Sequence, residues 1–284
     1  MYQMTENQIE EYMQYLYEQE KSSHTIEKYN RDIRRFCKTL AENRTFSREE
    51  VLMYKKTLQE SYALSSVNSM LTALNGFLKF IGAGDVCVKL CRQQRQSFLP
   101  EEKELTKKEY QSLLAKAKEQ PHLRLYYILE TMGSTGIRIS ELRYITVEGV
   151  KRRRILVCAK NKYRCICISE SLKSQLLEYC AGQNITSGCI FITRNGNPVH
   201  RNNVWTDMKK LSRKAGIREE KVHPHNLRHL FARTFYEKEK DVVLLADLLG
   251  HSSVETTRIY TRISEKHLND EVLELGLTDK YCII

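Results

Sequence analysis

The sequence predicts a mainly α protein in two parts, an N-terminal four-helix bundle followed by an α+β domain with one small antiparallel sheet. Three observations carry this. Apolar residues recur at helical spacing through the first ~90 residues. A stretch rich in charged and amide side chains then breaks the pattern, with Pro100 closing it. Beyond it, two short alternating runs flank a basic turn within otherwise helical sequence. A chain of 284 residues suits two domains better than one core. The boundaries fall at residues 1–91, 92–104 for the linker, and 105–284.

Thr5 with Gln8 reads as a capping box opening a first helix with apolar positions Ile9, Met13 and Leu16. Ile26, Tyr29, Ile33, Phe36 and Leu40, spaced 3, 4, 3, 4, give the second helix one continuous face. Ser47 with Glu50 caps a third that runs through Leu58, and a fourth passes through Val67, Leu71, Leu74 and Leu78 to stop near Gly82 and Gly84. Four helices with short connections make a bundle.

The second domain opens with another capping box, Thr106 and Glu109. A helix at about 123–132 ends at Gly133. Strands follow at 154–158 and 165–169, joined by the turn Ala159-Lys160-Asn161-Lys162-Tyr163-Arg164, and a third strand is expected at 190–193. The remainder reads as helices at about 201–215, 224–238, 241–249 and 253–260.

Composition narrows the class of function. No apolar run approaches the ~20 residues a membrane helix needs, and the polar, acidic start is no signal peptide, so a soluble cytoplasmic protein without membrane attachment is expected. Nine cysteines, none in paired C-x-x-C knuckles, argue against a metal or redox site. Cys165 and Cys167 alternate in a short apolar run and are expected as buried reduced thiols on one strand face. The net charge of +11 suggests a polyanionic partner. Residues 1–100 hold 14 Lys and Arg against 12 Asp and Glu, so nearly all the excess lies further on.

Four short motifs carry chemistry. In His225-Asn226-Leu227-Arg228-His229, positions i, i+3 and i+4 share a helix face. Paired histidines at i and i+4 suggest zinc, but the glutamate that zinc proteases place after the first histidine is absent, and an always-charged arginine repels a cation. Histidine with arginine suits an anion, to which the guanidinium offers a planar fork. The second motif is Thr135-Gly136-Ile137-Arg138-Ile139-Ser140-Glu141-Leu142, in which Arg138 precedes a short amphipathic helix. In the third, Leu248-Leu249-Gly250-His251, Gly250 suits a helix end and His251 projects from the turn. The fourth, Arg258-Ile259-Tyr260-Thr261, places one tyrosine among 16 in a polar helix.

In this order and spacing the motifs resemble the catalytic boxes of the tyrosine recombinase, or phage integrase, family, and the resemblance covers nearly the whole chain. Thr135–Leu142 matches the first arginine box. His225–His229 and Leu249-Gly250-His251 match the second, and Ile259-Tyr260-Thr261 the nucleophile box. The N-terminal bundle resembles the family's SAM-like core-binding domain, including Ser23, Thr25, Tyr29 and Phe36 of its early helix.

The resemblance implies roles residue by residue. Arg138 and Arg228 clamp the scissile phosphate and offset charge at pentacoordinate phosphorus. His225 accepts the tyrosine proton or hydrogen-bonds the phosphate, and His251 adds a donor. Tyr260 attacks phosphorus, leaving a 3′-phosphotyrosyl link and a free 5′ hydroxyl. Lys160 protonates the leaving oxygen. The family's turn reads Gly-Lys-Gly-x-Lys, whereas Ala159-Lys160-Asn161-Lys162 lacks glycine and is one residue shorter, which leaves Lys162 as the alternative acid. Glu141 is expected to pair with a neighbouring helix or arginine, and His229 to support the site from behind. A phenol with a pKa of about 10 is a poor nucleophile at neutral pH, so it needs positive charge and a base close by. Because the protein link conserves the phosphodiester energy, the reaction needs no cofactor, metal or ATP.

The implied partner is double-stranded DNA. Lys151, Arg152, Arg153 and Arg154, with Lys162, Lys209, Lys210, Arg213 and Lys214, are candidate phosphate contacts; each run also reads as a solvated face. The resemblance implies a homo-tetramer on two DNA sites, a Holliday junction intermediate, and room for an accessory directionality factor. The tail beyond Tyr260, with Leu268, Val272 and Leu275 at helical spacing, is expected to dock on a neighbouring protomer. Because the bundle pattern begins within the first few residues, a short integrase or Xer-like enzyme without a further N-terminal arm-binding domain is expected. Two alternatives stay open: a type IB topoisomerase-like activity, and a catalytically silent DNA-binding relative.

Overall fold

The computed structural model describes residues 1–92, 103–159, 162–251 and 253–260. They fall into two compact units, Met1–Arg95 and Gln96–Ile284. Among the described residues no helix is long and apolar enough to cross a membrane, and no group of three or more His, Cys, Asp or Glu could hold a metal ion.

The first unit packs helices α1 (Glu6–Glu18), α2 (Ser23–Cys37), α3 (Arg48–Ser61) and α4 (Leu64–Phe80), with a two-stranded pairing of β1 (Tyr2–Gln3) and β2 (Thr45–Phe46). The capping boxes at Thr5 and Ser47 are both made, each contributing about 1 kcal/mol. The predicted apolar faces converge on one core around Ile9, Ile33, Phe36, Leu71 and Leu74, joined by Tyr12, Tyr54 and Phe77. Leu40 belongs to that core from outside the helix, because α2 ends at Cys37. On α4 the side chains of Asn75 and Asn68 each take both backbone groups of a residue in the departing chain, Val88 and Cys91. They hold that segment to the bundle up to the predicted start of the linker.

The second unit contains α5 (Lys107–Lys118), α6 (Arg124–Thr135), a 3-10 turn Ile139–Tyr144 and α7 (Val147–Lys151), followed by the hairpin β3 (Arg154–Ala159) and β4 (Lys162–Cys167). After these come α8 (Glu170–Gly182), α9 (Arg201–Lys214), α10 (Pro224–Glu239), α11 (Val242–Leu249), α12 (Val254–Thr257) and a final 3-10 turn Arg258–Tyr260. The capping box of Thr106 and Glu109 starts α5 as expected.

Several expectations are corrected. The helix α6 runs past Gly133 to a left-handed end at Gly136 (φ 62°). Gly133 is a packing residue instead, since a Cβ there would sit 2.3 Å from the Tyr110 hydroxyl. The hairpin register pairs Arg154 with Cys167 and Ala159 with Lys162, so the second strand begins about three residues earlier than expected. Residues 190–193 form no strand. Ile190 and Phe191 are buried, but the turn at Gly196 (φ 76°) folds the chain straight back, leaving only the isolated bridge Ile192–Pro198. Cys165 and Cys167 share a face, as the alternation predicts, yet both are exposed. A two-stranded sheet buries one side only, and Ile155, Val157 and Ile166 take it. Helices α7 and α8 went unpredicted, although Ser169 caps α8 and Leu172, Leu176 and Tyr179 lie at helical spacing.

Candidate active site

The site is assembled around Arg228, in the second turn of α10. Its side chain is buried, 3% exposed, and spans the ends of two other helices. Nη1 donates to Gly136 O at the end of α6 (2.6 Å) and Nη2 to Leu249 O at the end of α11 (2.7 Å). Helix C-termini leave carbonyls without intrahelical partners, and their dipoles favour a cation, which is how a guanidinium is accommodated so deep. Burial, then Arg138 nearby, pull its pKa down to about 10, so it remains charged at neutral pH.

Arg228 also reaches two other predicted residues. Its Nη2 lies 3.0 Å from His251 Nε2, and its guanidinium is near enough to Tyr260 for the phenol to act on its charge. His251 stands immediately after Gly250, whose left-handed φ of 65° turns the chain; its Nδ1 lies 2.8 Å from Thr257 Oγ1. Burial, followed by the charges of Arg228, Arg138 and Arg164, pushes His251 down to about 4. Tyr260 is 6% exposed. It sits in the final 3-10 turn, not in the polar helix expected there, between two imidazoles. His251 is stacked on it at 5.9 Å and 16°, and His229 meets it edge to face at 4.8 Å and 89°.

Arg138 approaches from the loop after α6, partly exposed. Its amide donates to Glu141 Oε2 (2.9 Å) and its Nη1 to Oε1 (3.1 Å). Glu141 is buried and takes a second arginine, Arg164, at 2.6 Å. Burial works to raise the Glu141 pKa, but the Arg138 amide and the two guanidinium charges outweigh it, leaving the carboxyl below its ordinary value. His225 stands exposed in the first turn of α10, right after Pro224. Burial of part of its ring and the charges of His229, Arg228 and Arg138 lower its pKa.

The structure therefore brings Arg138, His225, Arg228, His251 and Tyr260 together. Lys160 lies outside the described residues, as does the tail beyond Tyr260, while Lys162 opens β4 with its backbone paired to Ala159. Two residues that the motifs did not single out complete the arrangement. Arg164, on the inward face of β4, donates to Leu248 O (2.7 Å) as well as to Glu141 and lies directly over Gly250. A Cβ at Gly250 would sit 2.3 Å from its Cδ. The strand parity that puts Ile166 inward puts Arg164 there too, a signal available in the sequence. The other is Glu104, considered below.

The basic runs are less uniform. Lys151, Arg152, Arg153 and Arg154 are all exposed, with Arg153 paired to Glu170. On α9, Lys209 lies 4.2 Å over the Trp205 ring and Arg213 is paired with Glu219. Lys214 Nζ donates to Gln120 (2.6 Å), and Lys210 lines an open cleft of about 620 Å³ with Asp207 and His122.

Residues 103–267 match the phage integrase family and residues 9–83 the phage integrase N-terminal SAM-like domain. Tyrosine recombinase XerA of Pyrococcus furiosus is 30% identical over 280 residues, spanning 95% of this chain and 94% of that protein. Tyrosine recombinase XerD of Halalkalibacterium halodurans is 27% identical over 272 residues, 88% of this chain and 90% of that one. Among solved structures, the Tn1549 transposon integrase in complex with transposon right end DNA aligns with a TM-score of 0.73 at 15% identity, covering 94% of this chain and 98% of its own. A lambda integrase dimer on a core site gives 0.73 at 19%, covering 92% and 96%; at these identities the likeness is one of fold. Matched over more than half its length by the family's own pattern, this chain belongs to the phage integrase family of tyrosine recombinases.

Proposed function

We propose that this chain is a site-specific DNA recombinase that cuts and rejoins strands through a 3′-phosphotyrosine at Tyr260. The observation that carries the reading is the convergence on one phenol: Tyr260 is flanked by two imidazoles, one of which, His251, lies 3.0 Å from Arg228 Nη2. Arg138 is near enough for its charge to act on Arg228. A phosphodiester entering here meets two guanidinium forks and the N-terminus of the 16-residue α10, all suited to an anion.

The chemistry then follows from the residues. The Tyr260 oxygen bonds to phosphorus as the bond to the 5′ oxygen breaks. The phenolic proton passes to His225, and Lys160 supplies a proton to the leaving oxygen. Arg138 and Arg228 hold the non-bridging oxygens where charge builds up. His251 enters this step with Nε2 facing the Arg228 N–H, so it becomes a donor to phosphate only after Arg228 turns toward the substrate and Nε2 takes up a proton. Attack by the 5′ hydroxyl of another strand reverses the step and needs no cofactor.

The substrate is double-stranded DNA in the cytoplasm, gripped through Lys151, Arg152, Arg153 and Arg154, with Lys162, Lys209, Lys210, Arg213 and Lys214. Four copies act on two sites through a Holliday junction, with a directionality factor as accessory partner. A lambda integrase tetramer on a Holliday junction has this fold, at a TM-score of 0.73 and 17% identity, which supports the assembly. A plasmid carrying two copies of the DNA flanking the gene tests it. Exchange of flanking arms without metal or ATP is expected, whereas relaxation without exchange would favour the topoisomerase-like alternative.

A further inference from the structure

Of the two imidazoles against Tyr260, only His251 is tied to the phosphate-binding arginine. His229 faces the other way. Its Nδ1 looks across 3.8 Å at Oε1 of Glu104, too far for a hydrogen bond. Glu104 is buried, 7% exposed, and its other oxygen is ion-paired with Arg233. Its position is fixed from both sides, since Leu105 is in the core and Lys103 O accepts from Asn226 Nδ2 at 2.7 Å. Asn226, His229 and Arg233 lie at i, i+3 and i+7 of α10, one stripe of the helix. The last residues of the predicted linker are therefore packed against the helix that also carries His225 and Arg228.

A buried carboxylate is costly unless its oxygens are satisfied. Arg233 offsets the charge, yet both oxygens remain buried without a hydrogen bond. His229 Nδ1 is the group facing Oε1. Burial, then the Arg228 charge, hold His229 below the ordinary imidazole range, so it is neutral with a single N–H to place. Resting on the reading of Tyr260 as nucleophile, we propose that Glu104 is a positioning residue for it. Oε1 captures the His229 Nδ1 proton in a hydrogen bond, and the imidazole so oriented holds the phenol ring in line for attack.

The test uses the full chain and a nicked suicide duplex carrying the cleaved site. It follows single-turnover adduct formation, duplex affinity and melting temperature. Glu104→Gln and His229→Phe should each slow adduct formation about tenfold with affinity unchanged, as expected for a misplaced reacting group. The double variant should also be about tenfold slow, because both changes break one relay. Nitrogen-15 histidine spectra should show His229 as the Nδ1–H tautomer in the wild type and lose that preference in Glu104→Gln. Since Glu104→Gln leaves Arg233 unpaired, Glu104→Gln/Arg233→Gln is made as well: slow cleavage at a wild-type melting temperature supports positioning, and a wild-type rate overturns it. Losses that multiply to about a hundredfold also overturn it. A wild type that forms no adduct overturns the nucleophile assignment and this inference together. An adduct that Glu104→Gln forms at the wild-type rate overturns this inference alone.

Discussion

Arg228 Nη2 donates to His251 Nε2 over 3.0 Å, and this contact fixes the protonation of the imidazole. A guanidinium has no lone pair to offer, so Nε2 must accept. The ring proton therefore sits on Nδ1, from which it donates to Thr257 Oγ1 at 2.8 Å. Before DNA arrives, two of the predicted phosphate ligands satisfy each other. Substrate phosphate has to compete for the Arg228 N–H that His251 now holds.

That arrangement makes stability pH-dependent in a definite direction. The His251 pKa falls from 6.5 to about 4 on folding, so the unfolded chain binds the proton first as pH drops. The contribution of this group is complete above pH 6.5 and is lost progressively down to about 4. His223, His225 and His229 are shifted the same way, so the comparison has to be internal. His251→Gln should show a shallower fall in melting temperature across that window than the wild type. Parallel slopes would mean that the imidazole is not held neutral.

Glu141 joins Arg138 to Arg164 and so ties the first arginine loop to the hairpin. Replacing it with Gln leaves the largely buried Arg164 without its counter-charge, a loss of about 3 kcal/mol for breaking a buried pair. Chemical denaturation should show that loss. Adduct formation should also slow, because Gln keeps one acceptor oxygen where Arg138 now uses two, one for its amide and one for its side chain. Unchanged stability would mean that the two arginines find other partners.

The two lysines of the turn are separable by the leaving group. An oxygen leaving as alkoxide needs a proton, whereas a thiolate, with a parent pKa near 8.5, does not. Lys160→Ala should slow cleavage of an ordinary strand by roughly a hundredfold or more and cleave a 5′-bridging sulfur substrate at nearly the wild-type rate. Lys162→Ala should show no such rescue. The reverse pattern would assign the acid to Lys162.

Local chemistry made much of this legible from sequence. The capping boxes at Thr5, Ser47 and Thr106 need only neighbours three residues away, and all three are made. The four motifs likewise named Arg228 and the four residues that the fold gathers around it. What stayed hidden depends on contacts across the fold. Arg164 acts through Glu141 and Leu248, 23 and 84 residues away in sequence. Glu104, assigned to a linker by its polar surroundings, owes its burial to Arg233 and His229 on a distant helix. The run at 190–193 looked like a strand because it is apolar and β-branched, but its backbone meets only single partners, such as Ile145 and Pro198, and no continuous ladder.

The most direct test of the account is covalent trapping on nicked suicide duplexes drawn from the DNA flanking the gene, without metal or ATP, comparing the wild type with Tyr260→Phe on a denaturing gel. The predicted result is a protein–DNA adduct in the wild type that disappears in the variant while DNA binding persists. An adduct that survives in Tyr260→Phe would contradict the assignment of the nucleophile.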